Sequence, residues 1–134
     1  MHSQLDFSRP VLLSSTLFVL PLAGGKVCAG FPSPAEDFAV KRIDLTEILV
    51  THPQATFLLR VSGESMKDAG IFDGDMLVVD KDIKPRHGHI VVAVVDGEFT
   101  VKYLYHRAGW VKLRSANVTF PDITPREGQT LEIW

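Results

Sequence analysis

The fold is decided by the stretch HIVVAVVDGEFTVKYLY, residues 89–105. Its first half is a run of β-branched residues, which is typical of a buried strand. Asp96 and Gly97 follow, and this dipeptide is the strongest short-range signal for a hairpin because both turn positions adopt positive φ. The second half, residues 98–105, supplies the partner strand. The stretch therefore predicts an antiparallel β-hairpin.

The segments on both sides of this hairpin also carry strand signals. Four further strands are predicted, at residues 55–61, 76–79, 110–114 and 130–134. Two short helical turns are predicted, at residues 45–51 and 65–69, and Gly70 ends the second as its C′ residue. We therefore predict a mainly β domain of antiparallel strands, preceded by an extended N-terminal arm.

Length, charge and cysteine content limit the functional classes. A chain of 134 residues with 46% apolar residues fits a single domain with a real core. The net charge of −2 argues against strong direct binding to nucleic acid, because such proteins usually carry a basic surface. The only cysteine, Cys28, has no partner for an internal disulfide, so the chain does not require an oxidising compartment. No motif indicates a cofactor.

The N-terminal part contains an apolar run and then a linker. The run, residues 11–23, is too short to span a membrane. A secretory signal peptide ending at Ala29 is an alternative interpretation, although the charge before the run is weak. The segment AGFPSPAEDF, residues 29–38, has the prolines of an exposed, extended linker, which is the conformation that proteases bind.

Ser65 lies in VSGESM, residues 61–66, where a predicted strand ends. It is either the N-cap of a short helix or a nucleophile. A nucleophile needs a base, and a Ser-His-Asp triad is possible in principle. However, no local signature singles out any of the five histidines, His2, His52, His87, His89 and His106. The spacing of His87 and His89 could hold a metal, but no third ligand is apparent, and we predict no metal site.

Lys102 is the alternative base. Strand alternation places Thr100, Lys102 and Leu104 on one face of the predicted strand. Either this face is solvated, or Lys102 is held neutral in an apolar cleft. Only about one lysine in 2,500 is neutral at pH 7, so a catalytic amine requires about 4–5 kcal/mol of differential desolvation. A Ser-Lys pair is a known variant of the triad.

The order of three motifs carries a family resemblance. GFPSPAEDF is followed by VSGESM and then by DGEFTVKYL. In this order, the motifs closely resemble the UmuD branch of the LexA-like self-cleaving serine peptidases, over residues 28–134. The resemblance implies the β-clip type of fold that this family shares with signal peptidases.

The resemblance also implies site residues. Ser65 matches the family nucleophile and Lys102 matches the general base. The backbone N–H groups of Ser65 and Met66 match the oxyanion donors, and the bond from Ala29 to Gly30 matches the scissile bond. The expected organisation is therefore an arm at residues 1–29 that self-cleavage removes, a linker at residues 30–38 and a peptidase-like domain at residues 39–134.

The resemblance further implies a cytoplasmic homodimer with no membrane association. In this family, the RecA filament on single-stranded DNA stimulates the cut. The trimmed dimer then serves as an accessory subunit of a UmuC-like Y-family, error-prone translesion DNA polymerase. Family members also continue beyond the equivalent of Trp134 with a further strand, so we expect an open sheet edge at this end.

Three other functions remain as alternatives. A LexA-like repressor would need a DNA-binding domain, and about 29 residues before the cut are too few for one. A signal-peptidase-like enzyme acting on other proteins would need a membrane anchor. A non-catalytic binding subunit would use Ser65 only as a helix cap.

Overall fold

The computed structural model describes residues 9–12, 19–23, 27, 29–31 and 40–134. Within this part of the chain, the architecture is mainly β and every strand pair is antiparallel. The strands are β1 Val11–Leu12, β2 Val19–Ala23, β3 Val40–Asp44, β4 Thr56–Arg60, β5 Met76–Asp80, β6 Ile90–Val95, β7 Glu98–Arg107, β8 Trp110–Arg114 and β9 Leu131–Ile133. The predicted fold class is confirmed.

The decisive stretch forms the predicted hairpin. Strands β6 and β7 pair in the register that opposes Val95 to Glu98 and Val91 to Lys102. The two turn residues, Asp96 and Gly97, have φ values of 48° and 83°. This positive φ at both positions matches the right-handed twist of the flanking strands. Strands β8 and β9 extend the hairpin into a four-stranded sheet of order β8-β7-β6-β9.

The main cluster of buried apolar side chains lies on one face of this four-stranded sheet. Four side chains are buried there: Val91, Ala93, Leu104 and Leu113. Val91 lies opposite Lys102, and Leu104 lies opposite Leu113. Burying a Val or Leu side chain contributes about 1.5–3 kcal/mol, so these positions fix the register. They also determine that Lys102 faces the core.

The helical elements are shorter than predicted. An α-helix, α1, spans Leu45–Leu49, and the side chain of Asp44 caps it by accepting a 3.0 Å hydrogen bond from the Thr46 N–H. The second predicted turn is a 3₁₀-helix at Lys67–Ala69, which begins two residues later than expected. Gly70 ends it in the left-handed conformation, at φ 78°. The prediction of a helix that begins at Ser65 is therefore wrong.

Two smaller sheets contain strands from the predicted arm. Strand β1 pairs with β4 in a sheet of order β1-β4-β5, and β2 pairs with β3 along five residue pairs. Strand β3 was not predicted, because charged residues interrupt its apolar pattern. The connection between β2 and β3, residues 24–39, contains Ala29 and Gly30. No helix in the described part of the chain is long and apolar enough to cross a membrane.

Candidate active site

Ser65 lies in the connection between β4 and β5. The base of this connection is closed by backbone hydrogen bonds from Val61 to Asp75 and from Gly74 to Val61, at 2.8 Å each. Gly63 takes a left-handed φ of 87°, which L side chains rarely adopt, and its N–H donates to the Asp73 carboxylate at 2.7 Å. These contacts turn the chain immediately before Ser65.

The Ser65 loop, residues 62–70, is anchored to the segment that follows β8. The Ser65 carbonyl accepts from the Ala116 N–H, and the Ala116 carbonyl accepts from the Asp68 N–H, both at 2.8 Å. The buried Asn117 side chain donates from Nδ2 to the Glu64 carbonyl at 2.9 Å. Met66, only 1% exposed, holds the loop in the interior. The backbone on both sides of the Ser65 hydroxyl is therefore fixed.

These anchors also orient two N–H groups. In a trans peptide the C=O and N–H bonds point in opposite directions. Because the Glu64 and Ser65 carbonyls both point toward the segment after β8, the N–H groups of Ser65 and Met66 point away from it. Neither N–H has an acceptor among the described residues. Two adjacent free donors beside a hydroxyl have the arrangement that an oxyanion requires.

Lys102 reaches the Ser65 hydroxyl from β7. Its side chain is buried, at 6% exposure, and Nζ lies 2.7 Å from Ser65 Oγ. Nζ also lies 3.0 Å from Thr100 Oγ1 and 3.1 Å from the Val101 carbonyl oxygen. No carboxylate of the described residues forms an ion pair with it. Burial without a counter-charge lowers the pKa of Lys102 below its ordinary value of 10.5.

The three contacts of Nζ satisfy both protonation states of the amine. The ammonium form has three N–H donors for three oxygen acceptors. The neutral form keeps two donors, for Thr100 and Val101, and its lone pair accepts from the Ser65 hydroxyl. The site can therefore move one proton between oxygen and nitrogen without leaving a polar group unpaired.

The geometry rules out two of the simpler interpretations. Met66 is the N-cap of the 3₁₀-helix and makes no side-chain capping bond, so Ser65 is not a helix cap. The interpretation of Lys102 as a lysine on a solvated sheet face is also wrong, because its side chain is buried.

None of the described histidines contacts Ser65. His52 is paired with Asp80 at 2.6 Å, and the Nδ1 atoms of His87 and His89 accept backbone N–H groups. His106 forms no hydrogen bond to Ser65, and His2 lies outside the described residues. No group of His, Cys, Asp or Glu side chains within the described ranges could hold a metal ion.

A cavity of about 150 Å³ adjoins the hydroxyl. Polar and apolar side chains both line it: Leu59, Arg60, Val61, Ser62, Ser65, Leu77, Val92, Phe99, Thr100 and Val101. A larger cavity of about 330 Å³ lies between β5 and β6 but contains neither Ser65 nor Lys102. The smaller cavity, which Ser65 lines, is therefore the candidate cleft, and its apolar part, formed by residues such as Leu59, Val61 and Phe99, suits small or aliphatic side chains.

The segment that contains the predicted scissile bond is exposed. Ala29 and Gly30 are both exposed, and their neighbours Val27 and Phe31 are 97% and 94% exposed. None of these residues lines the candidate cleft. Cys28 lies outside the described residues. Val27 and residues 29–31 therefore lie outside the candidate cleft.

Sequence reasoning missed two polar residues of the site and the contact made by a third. Alternation placed Thr100 on the same strand face as Lys102, but its hydrogen bond with the amine was not predicted. Asp73 and Asn117 are brought in by loop geometry. Asn117 bonds a residue 53 positions away, and no sequence signal predicts this contact.

Comparison with known proteins identifies the class. The profile described as Peptidase S24-like matches residues 21–134, and the chain belongs to this family. Among similar curated proteins, Protein ImpA of Salmonella typhimurium is 54% identical over 90 residues, which are 67% of this chain and 62% of ImpA.

Two longer alignments cover most of the chain. Protein MucA of Escherichia coli is 44% identical over 123 residues, or 90% of this chain and 83% of MucA. The LexA repressor of Paracidovorax citrulli is 40% identical over 128 residues, or 96% of this chain and 56% of the repressor. The matched region is thus less than two thirds of ImpA and of this repressor.

Proposed function

We propose that this S24 family member is a self-cleaving serine endopeptidase that cuts its own chain between Ala29 and Gly30. Ser65 is the nucleophile and Lys102 is the general base. The observation that carries the proposal is the 2.7 Å contact between Lys102 Nζ and Ser65 Oγ at a buried amine without a counter-charge. Such an amine is neutral more often than an exposed lysine and can accept the hydroxyl proton.

The first half of the reaction is acyl transfer. Lys102 Nζ takes the Ser65 proton while Oγ forms a bond to the carbonyl carbon of Ala29. The oxygen of the tetrahedral intermediate becomes negative and accepts from the N–H groups of Ser65 and Met66, a contribution of several kcal/mol in related chemistry. The intermediate collapses with cleavage of the C–N bond. The Lys102 ammonium protonates the departing Gly30 nitrogen, which leaves Ala29 esterified to Ser65.

The second half is hydrolysis. Neutral Lys102 takes a proton from a water molecule, and the resulting hydroxide equivalent attacks the ester carbonyl of Ala29. Collapse of this second intermediate breaks the bond to Ser65 Oγ, which regains its proton from Lys102. The products are an Ala29 carboxylate and a new N-terminal amine at Gly30. The same donors stabilise both oxyanions, so a single constellation serves both steps.

The cleft chemistry is compatible with this segment. In an extended chain, Val27 and Ala29 project to the same side. A small and an aliphatic side chain at this spacing suit a cavity lined by Leu59, Val61 and Phe99. Because Val27 and Ala29 are exposed and do not line the cleft, cutting requires the scissile bond to enter it. A rarely populated bound pose makes such a cut slow and open to regulation.

The resemblance to the UmuD branch and the similarity to MucA and ImpA support a role in SOS mutagenesis. We propose that the RecA filament on single-stranded DNA stimulates the cut by raising the population of the bound pose. The trimmed product then acts in the cytoplasm as a homodimer, as an accessory subunit of a UmuC-like Y-family translesion polymerase. No cofactor or metal takes part in this scheme.

The decisive experiment is mass spectrometry of the purified chain after incubation at alkaline pH. High pH increases the neutral fraction of Lys102, so the cut should become detectable without the activating RecA filament. We expect a new N-terminus at Gly30 in the wild type and intact chains for Ser65→Ala and Lys102→Ala. A general base contributes about 10²- to 10⁴-fold, so slow residual cutting of Lys102→Ala is compatible with the scheme.

The controls separate failure of chemistry from failure of folding. All three proteins are compared by circular dichroism and urea denaturation. An intact, folded wild-type chain at every pH would contradict the self-cleavage proposal. The RecA step is tested separately, by adding RecA and single-stranded DNA at neutral pH. Acceleration of the same cut supports it, and no acceleration contradicts it.

A further inference from the structure

A second surface of the domain lies on the outer face of the β7–β8 hairpin. Side chains on this face alternate with those of the core, since Leu104 and Leu113 are buried on the opposite face. The outer face carries three directly opposed pairs, each with one aromatic and one basic residue: Tyr103 with Arg114, Tyr105 with Lys112 and Trp110 with Arg107. We call these six residues the aromatic–basic ladder.

The rings and the cations of the ladder are in contact. The Arg114 guanidinium carbon lies 4.4 Å from the centre of the Tyr105 ring, and Lys112 Nζ lies 6.0 Å from it. His87 packs edge-on against the same ring at 5.2 Å. Trp110 has no ring or cation contact among the described residues and is 66% exposed. One large indole is therefore displayed beside a group of cations.

The ladder is a local region of positive charge on an acidic chain. Its only ion pair within the described residues joins Arg114 Nε to Asp122 at 3.5 Å, and both side chains are about half exposed, so it neutralises little. The pKa of the neighbouring His87 imidazole is lowered, first by desolvation and then by the charges of Arg107, Arg114 and His106. The net charge of −2 for the whole chain does not reveal this local group of positive side chains.

We infer that the aromatic–basic ladder is a docking surface for single-stranded nucleic acid. Phosphates are polyanions and complement Arg107, Lys112 and Arg114. Unpaired bases have flat faces that stack on an exposed Trp110, whereas paired bases in a duplex do not. An acidic protein segment would use the cations but has no need of the exposed indole. With three cations, binding is weak and strongly dependent on salt, in agreement with the acidic net charge.

The surface is distinct from the peptidase site. Lys102 and Leu104 belong to the opposite face of β7, and no ladder residue lines the candidate cleft. Occupation of the ladder therefore leaves Ser65 accessible. This inference does not depend on the proposed self-cleavage.

The test measures binding of a fluorescein-labelled oligothymidylate to the full chain by fluorescence anisotropy. Three phosphate contacts predict a slope near −2 for log K against log salt concentration, or roughly twentyfold weaker binding at 200 mM than at 50 mM. The double variant Arg107→Gln/Lys112→Gln should reduce the slope by about 1.4. Trp110→Leu should weaken binding at least about fivefold with little change in slope.

Matched controls make the test specific. Arg126→Gln removes one exposed cation near the Asp96 end of the sheet, away from the ladder, and should leave binding unchanged. Urea denaturation checks that each variant is folded, and the exposure of Trp110 makes its replacement compatible with folding. A duplex of equal length and a polyglutamate peptide serve as competitors. Equal binding of either competitor, an unaffected Trp110→Leu variant or no binding at about 50 mM salt would each overturn the inference.

Discussion

Ser65 Oγ and Lys102 Nζ lie 2.7 Å apart although 37 residues separate them in the chain. Two different elements create this contact. The Ser65 loop is fixed by Ala116 and Asn117, whereas the Lys102 amine is placed by β7 on the core face of the sheet. The contact therefore depends on the register of the central hairpin as much as on the loop.

The rate of cutting should depend on pH through the neutral fraction of the Lys102 amine. Below the pKa of Lys102, the neutral fraction rises tenfold per pH unit, and the first-order rate constant should rise in proportion. Because burial lowers this pKa, the rate should level off below the ordinary lysine value of 10.5. Gel densitometry from pH 6 to 11 measures the profile. A rate constant that keeps rising up to or beyond pH 10.5 would contradict a base whose pKa is lowered by burial.

Thr100 should act as a positioning residue for the amine. Thr100→Val removes one of the three acceptors of Nζ, which disfavours the ammonium form and leaves the amine less fixed. We expect a pH profile displaced to lower pH and a plateau rate about tenfold lower. Thr100→Ser keeps the hydroxyl and should restore both. Equal profiles for the valine variant and the wild type would show that Thr100 has no positioning role.

Gly63 should be required for its backbone conformation. A Cβ at Gly63 meets no atom within 4 Å, so only the left-handed φ of 87° opposes substitution. Gly63→Ala should lower the free energy of unfolding by about 1–2 kcal/mol and slow cutting by displacing the loop. Gly128, with φ 86° and equally open space, provides the control. Gly128→Ala should lose similar stability in urea but cut at the wild-type rate, and equal cutting by both variants would contradict this role of Gly63.

Asn117 should hold the oxyanion donors in place. Asn117→Ala leaves the Glu64 carbonyl without its side-chain donor and should lower the free energy of unfolding by about 1–3 kcal/mol. Cutting should slow as well, because the Ser65 N–H is oriented through the same peptide. Thr119→Val removes a contact on the other side of the Asn117 amide and should affect cutting less. The prediction fails if the two variants cut equally fast under conditions where both are folded.

The central sheet could be predicted because its signals are local. The β-branched run, the Asp96-Gly97 turn and the alternation that places Lys102 beside Leu104 all lie within one stretch. The same stretch could not predict which face is buried, and that choice decides between a solvated and a buried Lys102. The answer depends on long-range pairing with β8 and β9.

The contacts that hold the Ser65 loop could not be predicted for the same reason. Asn117 and Ala116 follow β8, and their contacts with residues 64–68 arise only after the sheet has formed. The onset of the short helix was misjudged because serine is a preferred N-cap, whereas this hydroxyl bonds to Lys102. Tertiary contact overrode local propensity here.

Because β2 pairs with β3, a cut after Ala29 would also change how β2 is held to the rest of the domain. In the intact chain, β2 is tethered to its partner through residues 24–39, so the two strands meet at a high effective concentration. After the cut, β1 and β2 belong to a separate peptide, and the pairings described for them are the short ones with β4 and β3. Two-stranded pairings of this size are marginal in water, and dilution favours loss of the peptide. After hydrolysis of this one bond, the occupancy of the β3 and β4 edges would thus depend on the concentration of peptides that can pair there, including a strand from another copy of the chain.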